Sequence, residues 1–471
     1  MGVLASPTYS LTPSSSKTVS PNNYLTSAEF TWLQQYLPDT YEKEFERYGN
    51  RTISSFLRMV GAELPTNSDL IKWAEQGRLH TKFTGVTLGS YTGAETTQTL
   101  TFTAAHNLRV GQTIIISDET AGSSFSNKAI VTDAAPAAAP TPANAVDVAY
   151  YEATQAGYAA ASTMTVFVYG SEFNKGANGM SGSLDAEDDI FSNKPIIIKD
   201  KYLVSGSDMA QIGWIEITTE NGAGGYLWYL KSEHETRLRF EDYLEMAMVE
   251  GVPAAAGSGV AGLSATNTQL GNQGTEGLFY VVENRGNVFS GTPAALADFD
   301  AIIQRLDKQG SIQENALFID RTTSFAIDDI LAAQNSYGAG GTSYGLFDND
   351  EEMALNLGFT GFKRGYEFYK TDWKYLNDAT LRGGITGGAI NGVLVPAGST
   401  TVYDQVLGKN AKRPFLHVRY RASESEDGRM KTWITGSAGG AATSDLDAME
   451  VHFLSERALC TMGANNFFLF K

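Results

Sequence analysis

The stretch GYLWYLKSEHETRLRFEDYLEMAMVEG, residues 225–251, predicts one long helix from about Leu227 to Glu250. Its charged side chains are spaced so that they can pair one turn apart, an arrangement that stabilises a helix by about 0.2–0.5 kcal/mol per pair. These i,i+4 pairs are Glu233 with Arg237 and Glu235 with Arg239. The helix is therefore expected to carry ion pairs over much of its surface.

The apolar positions of this helix form only a broken stripe, through Leu230, Leu238, Leu244 and Met248. One face can pack against a core, and the remainder is charged. Such a helix is wasteful in a monomer and makes sense when neighbouring copies complete its surroundings. The candidate subunit-contact residues are accordingly Glu233, Glu235, Arg237, Arg239 and Glu241.

The segments around the helix combine strands with shorter helices, which is typical of an α+β protein. Before it, KPIIIKDKYLVSG, residues 194–206, predicts an apolar strand pair. After it, a helix is expected to begin at Thr292, with Pro293 at its first position, and to end at Gly310. The chain then predicts a buried strand over 316–320, a helix over 323–333 and alternating strands toward the C-terminus.

The N-terminal segment predicts an arm followed by helices. Residues 1–23 are rich in Ser, Thr, Pro and Asn, so we expect them to gain structure only against a partner. Residues 24–77 are expected to be mainly helical. The last of these helices is Asp69–Gln76, with Ser68 as its N-cap.

The pattern changes at Lys82, where helical spacing gives way to alternation. Residues 82–170 predict a small all-β module inserted into a larger fold. Within it, the segment 134–145 contains three prolines, which exclude a helix and a central strand and favour an exposed loop.

Composition excludes several classes of function. The 35 basic and 53 acidic residues leave a net charge of −18, which argues against non-specific nucleic-acid binding, because Lys and Arg drive phosphate binding. The single cysteine, Cys460, excludes an intrachain disulfide and a cysteine-based zinc cluster. The N-terminus lacks the pattern of a secretory signal, and no window of about 18 apolar residues predicts a membrane span.

No motif predicts catalysis, a cofactor or a metal. The GxGxxG match at residues 257–262 lacks the preceding strand and following helix that dinucleotide binding requires. Asp348, Asp350 and Glu352 alternate as calcium ligands do, but the glycine and distal glutamate of an EF-hand are missing, which favours a solvated turn. The basic side chains are concentrated at Lys409, Lys412, Arg413, Arg419 and Arg421. This concentration could meet DNA or an acidic neighbour, and charge pairing across a subunit contact is the favoured interpretation.

The order of elements and three stretches of sequence resemble the major capsid proteins of tailed double-stranded DNA bacteriophages, which have the Johnson-type capsid fold. The stretches are residues 225–251, LADFDAIIQRLDKQGSIQENALFIDRTTSFAIDDILAA (296–333) and MEVHFLSERALCTMGANNFFLF (449–470). They look closest to the crAss-like and related marine phage group. The likeness covers residues 190–471 well and the first 190 residues poorly.

The resemblance implies an α+β subunit with a peripheral domain, an axial domain and an inserted all-β domain. Its parts would be an N-terminal arm and helices (1–81), the inserted module (82–170), an extended loop and strands (171–225), the peripheral-domain spine helix (226–259), the axial domain (260–390) and C-terminal strands returning to the peripheral domain (391–471).

The resemblance further implies a non-enzymatic subunit, without a cofactor or metal, that assembles with itself into hexameric and pentameric capsomers. Their icosahedral shell would form in the host bacterial cytoplasm and enclose DNA without sequence-specific binding or a membrane. Auxiliary or decoration proteins, a scaffold and a portal are further implied partners. From composition alone, an exported surface-layer or adhesin-type protein is the alternative, and an enzyme with an unrecognised site is a third class. The missing secretory signal argues against the surface-layer protein.

Overall fold

The computed structural model describes residues 62–78, 80, 82–89, 95–120, 126–153, 163–182, 188–209, 217–218, 224–225, 228–263, 273–335, 361–404, 409–438 and 442–471. These residues belong to two compact units: the inserted unit, Trp73–Phe191, and the main unit, formed by the remainder of the chain. The predicted arm, the helices predicted before residue 62 and the acidic turn at Asp348–Glu352 lie outside the described residues.

The inserted unit is built on a closed antiparallel barrel. The chain approaches it through β1 (Ala62–Thr66), which belongs to the main unit, and β2 (Ile71–Gln76). Six strands close the barrel in the order β3-β4-β7-β6-β5-β8: β3 (Lys82–Leu88), β4 (Thr97–Thr101), β5 (Gln112–Asp118), β6 (Ser126–Asp133), β7 (Ala145–Tyr150) and β8 (Met164–Ser171). The chain leaves through β9 (Asp188–Asn193), which pairs with β2.

Alternating side chains fill this barrel. Along β6, for example, Asn127, Ala129 and Val131 are buried, whereas Lys128 is exposed. The buried residues of all six strands and their loops form one core: Val86, Leu100, Phe102, Leu108, Ile114, Ile116, Ala129, Val131, Val146, Val148, Met164 and Val166. The predicted all-β segment, residues 82–170, lies within this unit, and its proline-rich loop, 134–145, is mostly exposed.

The helix predicted at Asp69–Gln76 is wrong, because Ile71–Gln76 is strand β2. The burial of IKWAEQ alternates with a period of two, and Trp73 packs against Phe191 of β9 with ring centroids 6.3 Å apart. Ser68 does not cap a helix, since its hydroxyl donates to the carbonyl of Leu70 at 2.8 Å and closes a local turn. Pairing with β9, which is distant in sequence, therefore makes this segment a strand.

The main unit contains two larger sheets and a set of helices. Its strands are β10 (Ile196–Ser205), β11 (Ile217–Thr218), β12 (Gly224–Gly225), β13 (Asn287–Phe289), β14 (Glu314–Ile319), β15 (Gly361–Arg364), β16 (Tyr366–Asp372), β17 (Gly392–Pro396), β18 (Ser399–Asp404), β19 (Lys409–Pro414), β20 (Leu416–Arg421), β21 (Lys431–Gly436), β22 (Ala448–Thr461) and β23 (Phe468–Phe470). Its helices are α1 (Gly206–Met209), α2 (Trp228–Glu250), α3 (Leu278–Arg285), α4 (Leu296–Gln309), α5 (Arg321–Asn335) and α6 (Lys374–Asn377).

The first large sheet has five strands arranged around β22. Its order is β1-β20-β22-β10, and β21 also pairs with β22. The segment 194–206, expected as a strand pair, is the single strand β10, which pairs with β22 from Ile196 opposite Arg457 to Ser205 opposite Ala448. The charged residues in the middle of β10 do not interrupt the strand, because Lys199 and Lys201 are exposed on one face.

The second large sheet has six strands, in the order β13-β23-β17-β14-β16-β15. Its central strand β17 is buried along its whole length, as expected for an apolar run covered on both sides. Helices α4 and α5 supply Phe299, Ile302 and Ile327 to the core on one face. The ends of α2 and α3 pack with residues of both large sheets in a second core.

The helix expected from Thr292 begins later, at Leu296, and ends as predicted before Gly310, whose φ of 70° suits glycine. The late start has a local cause. The Asp298 carboxylate accepts hydrogen bonds from the backbone N–H groups of Ala294 and Ala295, at 2.8 and 2.9 Å. These residues therefore precede the helix instead of forming its first turn.

Candidate subunit-contact surface

The long helix α2 packs against the five-stranded sheet through a stripe that repeats every four residues. The buried members of this stripe are Ser232, Thr236, Phe240, Leu244 and Met248. Thr236 Oγ1 donates to the carbonyl oxygen of Ser232 at 2.8 Å, which satisfies the buried hydroxyl within the helix. The Phe240 ring lies 5.7 Å from the Phe453 ring of β22.

The expected apolar stripe is confirmed at Leu244 and Met248 and is wrong at Leu238, whose side chain is 41% exposed. The side chain of Leu230 lies outside the described residues. The apolar residues alone predicted the wrong buried face of α2, because two of the residues on that face carry hydroxyl groups. A four-residue spacing that includes Phe240 was the sequence pattern that could have predicted this buried face.

The predicted contact residues divide between the sheet and solvent. Arg239 Nε lies 3.7 Å from Asp200 Oδ2 of β10, so Arg239 joins the helix to its own sheet. Arg237, whose side chain is 58% exposed, lies with Nε 3.4 Å from Glu241 Oε1 in an i,i+4 pair. Glu235 is exposed, and Glu233 and Glu241 are half-buried. Arg237 and Glu235 are thus the most exposed members of the predicted set.

The Asp200 carboxyl lies between α2 and β10 in a partly buried position. Burial raises its pKa above the usual carboxyl range, although the backbone N–H of Lys201 donates to Asp200 Oδ1 at 2.8 Å and acts in the opposite direction. A second carboxylate placed here would meet an already disfavoured charge.

The opposite face of the same sheet is open to solvent across three strands. We call it the outer face; it comprises Ile197, Lys199, Lys201 and Leu203 of β10, Glu450, His452 and Leu454 of β22, and Lys431, Trp433 and Thr435 of β21. Ile197 is 58% and Leu203 48% exposed, two large aliphatic side chains on one strand. Among the residues that the structure describes, no helix packs on this face.

A network of polar and aromatic contacts holds the centre of the outer face. Lys201 Nζ donates to Glu450 Oε1 at 2.9 Å, and this bond is the main cause of the lowered pKa of Glu450. Thr435 Oγ1 and His452 Nε2 share a hydrogen bond of 2.7 Å. The His452 and Trp433 rings stack with centroids 5.0 Å apart and planes 13° from parallel. The outer face therefore has fixed side chains before any partner arrives.

The basic concentration at Lys409–Arg421 is not a free surface at the positions described. Arg421 bonds within the chain, to Asp69, to Glu456 at 3.2 Å and to the carbonyl of Asn67. Arg413 is buried, and desolvation followed by the charge of Arg419 lowers its pKa. Charge pairing is therefore local at Arg421, whereas the side chains of Lys409 and Lys412 lie outside the described residues.

Sequence reasoning missed a buried polar junction at the end of β9. Asn193 Nδ2 donates to the carbonyls of Leu459 (2.7 Å) and Glu276 (3.0 Å). Its Oδ1 accepts from the backbone N–H of Glu276 at 2.8 Å and from the hydroxyl of Thr275 at 3.1 Å. Nothing in the local sequence marks this asparagine, because its partners other than the backbone N–H of Lys194 are 82–266 residues away.

The remaining candidates from the sequence are the GxGxxG segment, possible metal ligands and Cys460. The GxGxxG segment, 257–262, is a largely exposed loop that follows α2. Within the described ranges, no three His, Cys, Asp or Glu side chains are arranged to hold a metal ion. Cys460 is buried, which raises the pKa of its thiol to about 12. None of the helices in the described part of the chain is both long and apolar enough to cross a membrane.

Comparison with known proteins gives structural likenesses only. No protein-family model and no curated protein matches the chain. Among solved structures, it is similar to a chain of Microbacterium phage Oxtober96 (TM-score 0.39, 9% identity, covering 95% of this chain and 98% of that one). It is also similar to a chain of Mycobacterium phage Adephagia (0.38, 9%, 95% and 97%) and to one described as "Capsid of native GTA particle computed with C5 symmetry" (0.38, 9%, 93% and 96%). At these scores and identities the likenesses assign neither family nor function.

Proposed function

We propose that this chain is the structural subunit of a tailed-phage capsid. In this proposal, copies assemble into hexamers and pentamers of an icosahedral shell that encloses double-stranded DNA. The subunit has no enzymatic role, it is assembled in the host cytoplasm, and it resides in the virion. The resemblance in sequence supports this function, and the crAss-like or related marine group is the proposed placement.

The observation that carries the proposal is the outer face of the five-stranded sheet. Its two exposed aliphatic side chains, Ile197 and Leu203, are flanked by a fixed network of Lys201, Glu450 and His452. Large apolar side chains that stay exposed on a sheet, with ordered polar side chains between them, indicate a surface that a partner protein can cover. The opposite face is packed under α2, so the sheet is stable while its outer face stays available.

The three stretches that carry the resemblance coincide with main elements of the main unit. Residues 225–251 contain α2, residues 296–333 contain α4, β14 and much of α5, and residues 449–470 contain β22 and β23. We propose α2 as the peripheral-domain spine, 260–390 as the axial domain and 391–471 as the strands that return to the peripheral domain. Residues 1–81 and 171–225 are proposed to reach neighbouring subunits as an arm and an extended loop.

The proposal is tested by expressing the full chain and measuring its particles by sedimentation and negative-stain microscopy. We expect closed shells of megadalton mass. The double variant Ile197→Asp/Leu203→Asp should remain folded, because both side chains are exposed, and should lose assembly, because a new unpaired charge buried at an interface is unfavourable. Val252→Asp, at another exposed aliphatic position in a loop, is the matched control.

A small soluble oligomer from the wild-type chain under all assembly conditions, including with a co-expressed scaffold, would contradict the proposal. Flat lattices or fibres in place of closed shells would favour the alternative, an exported surface-layer or adhesin-type protein. Auxiliary proteins, a scaffold and a portal are proposed partners, and the same particles can be used to test for them.

A further inference from the structure

The exterior of the inserted barrel has two chemically different walls. Strands β3 and β4 present threonines outward: Thr84, Thr87, Thr97, Thr99 and Thr101. Rings are presented instead by β8 itself and by the segments that follow β7 and β8: Phe167 and Tyr169 on β8, Tyr151 after β7 and Phe173 after β8. We call these four rings, with Lys128 and Glu172, the aromatic wall. In the described part of the barrel strands, the exposed large apolar side chains are Phe167 and Tyr169.

Three of the four rings of the aromatic wall, Tyr151, Tyr169 and Phe173, are held by contacts within the unit. Tyr151 donates its hydroxyl to Glu172 Oε2 at 2.5 Å, and Lys128 Nζ lies 5.9 Å from the centroid of the Tyr169 ring. Phe173 lies across Gly111, where a Cβ atom would come within 2.5 Å of the ring. Gly111 also has a φ of 86°, so its lack of a side chain serves both the turn and the seating of the ring. A surface with fixed rings loses little entropy when a ligand binds.

The size of the wall suits a small ligand better than a second protein. The four rings are 38–48% exposed. Since an aromatic side chain contributes about 150–250 Å² when fully buried, they present roughly 300–400 Å² together. A stable protein–protein interface needs about 800 Å² from each partner.

The charge of the unit narrows the chemistry of the ligand. Residues 73–191 contain five Lys and Arg against twelve Asp and Glu, so nucleic acids and other polyanions are repelled. At the wall itself, the rings are accompanied by two ammonium groups and one carboxylate: Lys128, Lys82 opposite Phe167 on the paired strand β3, and Glu172. A neutral ligand with hydroxyl groups and flat C–H-bearing faces matches this combination, because C–H groups meet the negative face of an aromatic ring.

We infer that the aromatic wall of the inserted unit binds a neutral saccharide chain, with sugar rings stacked on Phe167 and Tyr169 and hydroxyl groups bonded by Lys128 and Glu172. This binding goes beyond the proposed shell function and does not depend on assembly.

The full-length protein should be titrated with neutral oligosaccharides of four to six units: cello-, malto-, manno- and N-acetylchito-oligosaccharides. Saturation-transfer NMR detects binding, and calorimetry measures the dissociation constant. We expect binding of at least one probe, weakened at least tenfold by Tyr169→Ala and by Phe167→Ala. Tyr169→Phe should stay within about threefold of the wild type, because it keeps the ring. Thr101→Ala, on β4, a strand that does not pair with β8, is the control that should change nothing.

Failure of every probe to bind at millimolar concentration would overturn the inference, as would equal binding by wild type and both alanine variants. A sedimentation change caused by Tyr169→Ala without sugar would also overturn it, by identifying the wall as a protein interface. Assembly and sugar binding are read separately. Particles that bind no probe leave the shell proposal intact, whereas a non-assembling protein that binds sugar leaves this inference intact.

Discussion

Asn193, the last residue of β9, is a single side chain that joins three segments: the end of β9, residues 275–276 and β22. Replacing it with alanine leaves the N–H of Glu276, the carbonyl of Leu459 and the hydroxyl of Thr275 without this partner in a buried place. Because each unsatisfied buried group costs about 1–3 kcal/mol, we expect Asn193→Ala to destabilise the main unit by roughly 2–4 kcal/mol. Thermal unfolding of the full chain measures the loss. Asn284→Ala is the control, since the Asn284 amide makes an exposed bond to the carbonyl of Tyr280; equal effects of the two variants would contradict the assignment.

Glu119 predicts a pH dependence for the inserted unit. Its carboxylate accepts from the backbone N–H of Gly85 at 2.7 Å and from the hydroxyls of Thr163 and Thr165 at 2.8 and 3.1 Å. The bond from Gly85, followed by that from Thr163, lowers its pKa below 4.5. A carboxyl with a lowered pKa stabilises the folded state above its unfolded pKa, and this contribution disappears as pH falls through the folded value.

Glu119→Gln should therefore be less stable than wild type at pH 7, and the gap in melting temperature should narrow as the pH falls below about 4.5. Scanning fluorimetry of the full chain across this range checks the expectation. Glu424→Gln, at an exposed loop position, should show no such gap. A gap of constant size at all pH values would assign Glu119 a role that does not involve its charge.

Among the elements, α2 allows its two arginines to be separated. Arg237→Glu breaks one exposed i,i+4 pair, worth about 0.2–0.5 kcal/mol, and should leave the fold intact. If the exposed side of α2 contacts a neighbour, the reversed charge recurs at every interface, and the yield of particles should fall sharply. Circular dichroism measures folding, and light scattering measures assembly. Lys363→Glu, which breaks an exposed ion pair with Glu367 across the β15–β16 hairpin, is the control; equal yields from both variants would remove α2 from the contact surfaces.

Arg239→Glu should behave differently, because its partner Asp200 is on the same subunit. The new carboxylate would lie beside a partly buried carboxyl whose pKa burial already raises. We therefore expect this variant to lower the melting temperature of the unassembled chain, which Arg237→Glu should not do. A native melting temperature for Arg239→Glu would show that the contact with Asp200 contributes nothing.

Local patterns predicted the elements whose partners are close in sequence or whose spacing is regular. The bounds of α2 and the end of α4 at Gly310 follow from such signals. Where the outcome depends on distant pairing, the same signals fail. The local sequence of Ile71–Gln76 predicts a capped helix, but pairing with β9 makes it a strand. The buried face of α2 includes Thr236, because its hydroxyl group is hydrogen-bonded inside the helix. The candidate surface was predicted only in part for the same reason, since the outer face arises from strands separated by more than 200 residues.

The whole molecule consists of a main unit and a barrel inserted between β2 and β9. Trp73 and Phe191 pack together, so the chain enters and leaves the barrel at neighbouring points. The closed barrel has its own core and no unpaired sheet edge, which makes it independent of other strands for its hydrogen bonds. We therefore expect that residues 77–187 can be replaced by a short Gly/Ser linker.

The excised chain should be soluble, should retain the thermal transition of the main unit and should still assemble, while any saccharide binding is lost with the aromatic wall. Deleting Leu296–Asn335 instead should abolish folding, because it removes β14 from the interior of the six-stranded sheet together with the buried Leu317 and Ile319. Soluble yield and differential scanning calorimetry compare the two deletions. An excised chain that is insoluble would show that the main unit needs the barrel to fold. A chain that is soluble and folded yet forms no particles would assign the barrel a part in assembly, separate from the outer face of the main unit.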